Sequence, residues 1–272
     1  MTEDRSRGFT GGSVPEAYDQ FMAPQLFEPW ARELVGRARL RRGSSVLDVA
    51  SGPGPVARLA ASAVGPEGRV VASDISPAML AVAAAKPAAA TSAPIEYVEC
   101  SATALEAASD SFDAVLCQQG LQFFPDRAAS VGEMRRVARR DGVVVVSTWA
   151  SERPLGLFGP MAEVLQLAGV AEPYPRAFDP QSYSLSSPEL SRLLSEAGLR
   201  EVVVETVELD AVWRDTQEAV ATVMGTPYGP KVNGLPVDKQ QQVYSLLAGR
   251  LGQSPDGTVI IRTTSHIGRG TK

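Results

Sequence analysis

The chain contains little cysteine, histidine and lysine, and each scarcity argues against a class of function. Its two cysteines, Cys100 and Cys117, form neither a disulfide framework nor a zinc-ligand spacing. Its single histidine, His266, falls in the last predicted strand, away from the predicted site, so no histidine general base is expected. Lysine accounts for only 4 of the 26 basic residues, and the net charge of −5 gives no bulk attraction to nucleic acid.

Long apolar runs are also missing. No run reaches the roughly 18 apolar residues that a membrane-spanning helix needs. The first residues are polar and charged, so no secretory signal peptide is expected. A hydrophobic share of 44% in 272 residues is that of a globular protein with one large domain, or one domain with insertions. These features predict a cytoplasmic protein that binds neither membrane nor nucleic acid.

The chain is organised around the stretch VLDVASGPGPVARLA, residues 46–60. A short apolar run that contains Asp48 precedes a turn with Gly52 and Gly54, and residues at helical spacing follow, which predicts strand, tight turn and helix. Glycine has no β-carbon, so a ligand can approach the backbone closely. The helix behind the turn directs its free N–H groups and its positive dipole end toward the same place.

An acid ends the next predicted strand. Asp74 closes the run RVVASD, twenty residues after Gly54. An acid at this place in a Rossmann-like unit can accept hydrogen bonds from ribose hydroxyls, and charge-assisted bonds of that kind contribute about 1.5–3 kcal/mol each. Turn and acid together indicate a nucleoside cofactor. The alternative is an ordinary turn and an ordinary helix cap in a parallel-sheet protein.

Strand and helix patterns alternate over about 110 residues. They predict a doubly wound α/β sheet with right-handed crossovers, whose ligand lies at the carboxyl ends of the strands. The predicted strands are 45–50, 69–74, 95–99, 112–117 and 143–149, with a sixth at 199–209 and a last, antiparallel one at 257–267.

Four segments are predicted around this pattern. An N-terminal helical lid segment, 1–40, is expected to be broken by Pro24 and Pro29. The cofactor-binding core covers 41–150, and a proline-rich lid insertion covers 151–187. The rest of the core sheet covers 188–272 and contains a helical insertion at 212–256.

Five motifs in order resemble the class I S-adenosylmethionine-dependent methyltransferases. They are VLDVASGPG, VVASDISPAML, ECSATAL, DSFDAVLCQQGLQFFPD and MRRVARRDGVVVVSTW. Within that class the chain is most similar to the small-molecule branch that includes the ubiquinone/menaquinone C-methyltransferases, a methyltransferase type 11-like group. The resemblance covers residues 13 to about 150 well and the C-terminal third only by general layout. It implies a seven-stranded Rossmann-like sheet, mostly parallel with an antiparallel last strand, and S-adenosyl-L-methionine as cofactor.

The resemblance also implies which residues contact the cofactor. Asp48, Ala50, Gly52 and Gly54 would surround its methionine part, Asp74 its ribose, Ile75, Met79 and the Ala102 backbone its adenine, Gln118 its sulfonium and Tyr18 its carboxylate.

Two positions depart from the family pattern. Ala50 replaces the first glycine of the turn, which is expected to be tolerated if its φ is negative. Ser101 replaces an adenine-contacting aspartate, and its hydroxyl could still accept the adenine amino proton.

We expect the C-terminal third to build the acceptor side. The mechanism implied is methyl transfer, by proximity and orientation, to the C, O or N of a small, largely apolar or aromatic acceptor of secondary metabolism. No metal is expected, since the strand ends carry no acid cluster beyond Asp74, and a homodimer is a possible assembly. The candidate acceptor-binding residues are Gln119, Phe123, Trp149, Tyr174, Tyr183 and Tyr228.

Two other functions stay open. GPGPVA also fits the G-x-G-x-x-G/A pattern of an NAD(P)-dependent oxidoreductase. Against it, Asp48 lies inside the first strand, and no Tyr-x-x-x-Lys pair is available for hydride chemistry. The other alternative is a cofactor-binding relative without methyltransferase activity.

Overall fold

Seven strands form one sheet in the computed structural model, which describes residues 14–86, 89–153, 158–169, 184–226 and 228–272. The strands are β1 (Ser45–Val49), β2 (Arg69–Asp74), β3 (Ile95–Glu99), β4 (Phe112–Gln118), β5 (Ala138–Trp149), β6 (Arg200–Trp213) and β7 (Val259–Thr271). Their order across the sheet is β3-β2-β1-β4-β5-β7-β6. The first five are parallel, and β7 runs antiparallel to β5 and β6. The predicted seven-stranded Rossmann-like sheet is confirmed.

Helices cover both faces of the sheet. Several begin at a side-chain cap: the Ser76, Asp126, Ser186 and Asp215 side chains each accept the backbone N–H three residues later. The described helices are α1 (residues 14–38), α2 (Pro55–Val64), α3 (Pro77–Ala84), α4 (Arg127–Val137), α5 (Phe158–Leu167), α6 (Ser187–Glu196), α7 (Thr216–Ala221), α8 (Gly229–Asn233) and α9 (Val237–Ala248), with short 3₁₀ turns at Leu121–Phe123 and Thr222–Gly225.

The apolar pattern of the strands follows from this layering. All five residues of β1 are buried, as expected for a parallel strand covered on both faces. Alternate side chains along the strands enter two separate cores. Val46, Val145 and Trp149 pack against α1 and α2, whereas Leu47 and Val144 pack against α4 and α6.

The prediction that Pro24 and Pro29 break the N-terminal helix is wrong. α1 is continuous: an α-helical turn, Val14–Ala17, leads into the π-helix Tyr18–Phe27 and then into the α-helix Glu28–Ala38. In the wider π register the N–H at the end of the segment, that of Glu28, bonds to the Ala23 carbonyl five residues back, so the helix passes the proline without ending. Pro29 lies in the first turn of the following α-helix, where its missing N–H has little effect.

Other element ends differ from the predicted ones because tertiary pairing extends the strands. β5 begins at Ala138 rather than 143, since Ala138 pairs with Phe112 before a bulge. β6 continues to Trp213 and β7 to Thr271, because the two strands pair along most of their length. The described part of the predicted helical insertion at 212–256 contains three α-helices, α7 to α9. Among the described residues, no helix combines the length and the apolar character needed to cross a membrane.

Trp30 joins α1 to the sheet. Its side chain is 1% exposed, its Nε1–H donates to the Thr263 hydroxyl at 3.0 Å, and its ring meets the Trp149 ring edge-on at 6.1 Å. We expect Trp30→Ala to lower the free energy of unfolding by about 3–5 kcal/mol, because it leaves a large cavity. Trp30→Phe keeps most of the ring volume and should lower the free energy of unfolding by only about 1 kcal/mol, because the hydrogen bond to Thr263 is lost. Urea unfolding measures both, and equal losses would contradict the anchoring role of the ring.

Candidate cofactor and acceptor site

The turn after β1 lies against the end of β2. The Ser51 N–H donates to the Ser73 carbonyl at 2.9 Å, and the Gly54 N–H closes the turn on the Ser51 carbonyl at 3.0 Å. Gly52 and Gly54 have φ values of +52° and +78°, a region that glycine enters without steric cost. α2 begins at Pro55, directly behind the turn, so its free N–H groups lie beside these glycines.

Asp74 connects the turn to the second strand. Its Oδ2 accepts the Gly52 N–H at 2.8 Å, and its Oδ1 accepts the Ser76 N–H at 2.9 Å. Burial raises the pKa of Asp74, and these two hydrogen bonds oppose the rise because they favour the carboxylate. The structure therefore places Gly52 and Asp74, two residues of the predicted cofactor site, in direct contact.

Asp48 is a buried acid, and among the described charged groups Arg58 favours its ionised form whereas Asp74 opposes it. Its side chain is 1% exposed, and neither carboxylate oxygen is paired with another group in the described part of the chain. Burial raises the pKa of Asp48 well above its usual range, the Ala57 N–H opposes the rise, and the charge of Asp74 adds to it. A cationic group beside Asp48 would stabilise the ionised form.

Ala50 does not meet the condition under which it was expected to be tolerated, because its φ is +56° rather than negative. A left-handed residue is needed where the chain turns off β1, and an alanine there is less stable than glycine by about 1–2 kcal/mol. The methyl group fits because residue 120 is glycine. A β-carbon on Gly120 would lie 2.8 Å from the β-carbon of Ala50.

Beside this turn is an open space bordered by an apolar side chain. A β-carbon built on Gly52 would have no described heavy atom within 4 Å, so the backbone there faces open space. Ile75, directly after Asp74, is 49% exposed, whereas Met79 is buried in the first turn of α3. A flat apolar ring could therefore contact Ile75, while Met79 supports the wall behind it.

The predicted adenine-side loop lies next to Asp74. The Cys100 N–H donates to the Asp74 carbonyl at 3.1 Å, which brings Ser101 and Ala102 to the carboxyl end of β2. The Ser101 hydroxyl is 2.8 Å from the Thr103 hydroxyl and accepts the Thr103 N–H. Ser101 therefore stabilises its own loop.

The π-helical part of α1 reaches the same site. Burial and the charge of Asp74 both raise the pKa of Tyr18, which shows that the phenol lies near that carboxylate. The Tyr18 ring stacks on Phe27 at 4.9 Å, and Lys86 at the end of α3 pairs with Asp19 at 2.6 Å. These contacts fix the Tyr18 ring within α1 and join α1 to the residues that follow α3.

Two glutamines end β4. Gln118 donates from Nε2 to the Phe27 carbonyl at 2.9 Å, so it joins β4 to the end of the π-helix. Gln119 has a φ of +52°, and its Nε2 donates to the Ser265 hydroxyl at 2.8 Å. Non-glycine residues in this backbone region are uncommon and cluster at functional sites.

Two of the aromatic side chains near the carboxyl end of β5 pack together. Trp149 ends β5 and is buried against Phe27, with 6.1 Å between ring centroids. Tyr228 is buried and Phe123 is half-buried. Tyr174 and Tyr183 lie outside the described residues.

His266 lies closer to the strand ends than predicted, because it pairs with Thr148 near the end of β5. Its imidazole is on the opposite face from Trp149 and bonds Thr206 and Glu152, at 2.9 Å in each case. Both ring nitrogens are used in these contacts. In the described part of the chain, no group of three or more His, Cys, Asp or Glu could hold a metal ion.

Sequence reasoning missed several residues of this site. Phe27 is a core residue whose carbonyl also accepts from Gln118, and Gly120 had a signal only in its position two residues after β4. Ser147 and Ser265 had none, because their place depends on how β7 pairs with β5.

Comparison with known proteins assigns the chain to a family. The ubiE/COQ5 methyltransferase family matches residues 11–155, slightly more than half of the chain. An uncharacterised protein of Mycobacterium tuberculosis is 35% identical over 145 residues, 53% of this chain and 50% of that protein. The ubiquinone/menaquinone biosynthesis C-methyltransferase UbiE of Xylella fastidiosa is 30% identical over 134 residues, 48% of this chain and 53% of that protein. The chain thus spans about half the length of these curated relatives.

A solved structure shares the fold. Phosphoethanolamine N-methyltransferase 2 of Haemonchus contortus, in complex with S-adenosyl-L-methionine, aligns over 100% of this chain and 59% of its own, with a TM-score of 0.63 and 17% identity. The family match includes the glycine turn, Asp74 and both glutamines of β4. This protein therefore belongs to the ubiE/COQ5 methyltransferase family.

Proposed function

We propose that the protein transfers a methyl group from S-adenosyl-L-methionine to a small acceptor molecule. The proposal rests on the hydrogen bond from the Gly52 N–H to the Asp74 carboxylate. Asp48, a buried acid whose oxygens have no hydrogen-bond partner among the described residues, supports it. This arrangement puts the acid proposed to bind the ribose, an open glycine backbone and a buried acid with a raised pKa close together. Family membership agrees with it, while the activity of the whole protein stays a proposal.

The described residues fit this cofactor. The open space at Gly52 admits the amino-acid part close to the backbone. The cationic groups of that part would lower the raised pKa of Asp48 and so stabilise its carboxylate. Asp74 would bind the ribose hydroxyls, and Ile75 and Ala102 the adenine. When bound, the cofactor supplies a methyl carbon that its sulfonium activates for in-line displacement.

The protein's own contribution is orientation and exclusion of water. Phe27, Trp30 and Trp149 pack together at the ends of the central strands, and Gln118 holds the helix that covers them. Fixing two reactants at such a site can lower a barrier by about 7–11 kcal/mol without an acid or base. With both nitrogens of the single histidine already bonded, no step in this mechanism uses it.

The acceptor we propose is a small, largely apolar or aromatic compound of secondary metabolism. The packed rings of Phe27 and Trp149 and the buried Tyr228 support this. The methylated atom differs among the related proteins, because UbiE is named as a C-methyltransferase and the Haemonchus enzyme as an N-methyltransferase. Gln119, Phe123 and Trp149 are the described candidates for acceptor contact.

Calorimetry tests the proposal directly. S-adenosylmethionine and S-adenosylhomocysteine should bind, and NAD(H) should not. Asp74→Ala should weaken binding at least about tenfold, because it removes charge-assisted hydrogen bonds to the ribose. Asp113→Ala is the matched control. The Asp113 carboxylate also accepts a backbone N–H, that of Ser45 at 2.7 Å, but it lies at the opposite end of the sheet. Tight NAD(H) binding without sulfonium binding would instead make the protein an oxidoreductase.

The open backbone at Gly52 gives a second test. Gly52→Ala should weaken cofactor binding, because a methyl group would occupy the space at the turn. Gly43→Ala is the control: Gly43 also has a positive φ, +81°, with no described atom within 4 Å of a built β-carbon, but lies before β1. Both variants should lose about 1–2 kcal/mol of stability. If Gly43→Ala weakened binding as much, backbone strain alone would explain the effect.

Asp48→Asn should raise stability and lower cofactor affinity together. The folded-state pKa of Asp48 lies above its unfolded value, so the folded protein retains a proton that the unfolded chain releases, and wild-type stability falls as pH rises above about 4. The amide does not ionise, so its advantage in Tm should grow between pH 5 and pH 8, by about 2–4 °C for each kcal/mol regained. If the Tm values of the two proteins, measured without ligand, changed with pH in the same way, ionisation of the buried Asp48 would not lower stability.

A further inference from the structure

The segment between β3 and β4, residues 100–111, crosses the sheet without a helix. It passes over β2 and β1, because β4 pairs with β1 rather than with β3. Parallel strands are usually joined by a crossover helix, whose apolar face fills the space above the strands. Here a loop takes the place of that helix, and a cavity of about 280 Å³ lies between the loop and the sheet.

The walls of the cavity are largely apolar. Leu47, Val71 and Phe112 contribute buried side chains from the sheet, and Leu105 contributes one from the loop. An apolar cavity of about 150 Å³ can hold a benzene ring, so the larger cavity here admits one ring with a short substituent. Binding such a ring is favourable because it removes apolar surface from water.

The loop side of the cavity is fixed by α4. The Leu105 N–H donates to the Glu133 carboxylate at 2.9 Å, and the Arg136 guanidinium donates to the Leu105 and Ala107 carbonyls at 3.0 and 2.8 Å. Arg136 also pairs with Glu133 at 2.6 Å, so two neighbouring side chains of one helix hold the loop. The cavity therefore has fixed walls on both sides.

The charges at the rim favour a cationic ligand. The described lining contains one cation, Arg69, and two acids, Glu96 and Glu106. Arg69 pairs with Glu96 at 2.8 Å, and its guanidinium lies 5.7 Å from the centroid of the Phe112 ring. The Glu106 side chain is exposed, and no other cation in the described lining offsets its charge. A protonated amine is the group that this rim attracts.

The inner end of the cavity adjoins the candidate cofactor site, because Ser73 and Cys100 line it. The Ser73 carbonyl accepts the Ser51 N–H at 2.9 Å, and the Ser73 hydroxyl donates to the Asp48 carbonyl at 3.3 Å. The Cys100 N–H donates to the Asp74 carbonyl at 3.1 Å. The same residues therefore form a wall of the cavity and hold the segments of the cofactor site.

We propose that the cavity is a second binding site, for a small aromatic or apolar amine, and that a ligand there strengthens cofactor binding. The ring occupies the apolar space, and the ammonium group lies at the rim beside Glu106. A ligand that fits these walls stabilises the positions of Ser73 and Cys100, which in turn hold the glycine turn and Asp74. The amine site stands without the proposed methyl transfer, whereas the coupling rests on the proposed cofactor site.

Matched probe pairs test the class of ligand. Benzylamine is compared with benzyl alcohol, and cyclohexylamine with cyclohexanol, because each amine is an ammonium ion at pH 7 and each alcohol is neutral. Ligand-observed NMR titration should show the amine of each pair binding about threefold more tightly, as expected for one charge pair at an exposed rim. Equal binding within the pairs, or no binding by either amine, would overturn the inference.

Thiol chemistry locates the bound amine. Cys100 lines the cavity and is half-buried, whereas Cys117 is fully buried and burial raises the pKa of its thiol to about 12. Iodoacetamide should therefore alkylate Cys100 alone in the folded protein. Benzylamine at about nine times its Kd should slow this reaction about tenfold, because it leaves about a tenth of the sites free. An unchanged rate, followed by mass spectrometry of the intact protein, would place the amine elsewhere and overturn the inference.

Variants separate the contribution of the ring from that of the charge. Val98→Phe should abolish binding of both members of a pair, because the larger side chain fills the cavity that Val98 lines. Glu106→Gln should reduce the preference for the amine toward one and leave the alcohol unaffected. Since Glu106 is exposed, this variant stays informative if Val98→Phe does not fold. Glu99→Gln is the matched control: it removes an exposed acid beside Cys100 that does not line the cavity, and the preference should persist.

Calorimetry of S-adenosylhomocysteine, with and without saturating benzylamine, tests the coupling. The amine should tighten this binding at least about fivefold in the wild type and have no effect in Val98→Phe. Unchanged or weaker binding in the wild type would overturn the coupling. Protein that binds neither S-adenosylmethionine nor S-adenosylhomocysteine would overturn the proposed function, whereas amine binding and the protection of Cys100 are measured without either compound.

Discussion

The site depends on one hydrogen-bonded carboxylate. Asp74 accepts an N–H from the turn after β1 and another from the start of α3, so a single side chain sets the relative positions of three segments. The parallel pairing of β1 with β2 makes this possible, because it ends both strands at the same edge of the sheet. Ser51 reinforces it with its own bond to Ser73. Without this hydrogen bond, the glycine turn and the Asp74 carboxylate would not be held beside each other.

The cofactor half could be predicted from the sequence because its signals are local. The strand, the glycine turn and the acid at the next strand end lie within thirty residues of the sequence, and in the structure the Gly52 N–H donates to Asp74. The conformation of Ala50 could not be predicted in the same way. It depends on Gly120, a residue seventy positions away, which leaves room for the alanine methyl group.

The acceptor half was harder to predict because it is assembled from distant segments. Pro24 indicated a helix end, yet the π register carries α1 past it and delivers Phe27 to Gln118. Ser265 carried no local signal, since its neighbours follow from the antiparallel pairing of β7 with β5. Ser265 also lies outside residues 11–155, the segment that the family match covers, so family membership does not predict which residue stands there.

β7 lies between β5 and β6 although it follows both in the chain. During folding, β5 therefore has an unpaired edge until the last strand inserts, and β6 has no neighbour in the sheet to pair with before that step. Each strand from β2 to β5 can pair as soon as it follows in the chain, because one of its neighbours in the sheet precedes it in the sequence. The contact between the glycine turn and Asp74 therefore needs only β1 and β2, whereas the Gln119–Ser265 contact cannot form until β7 is in place.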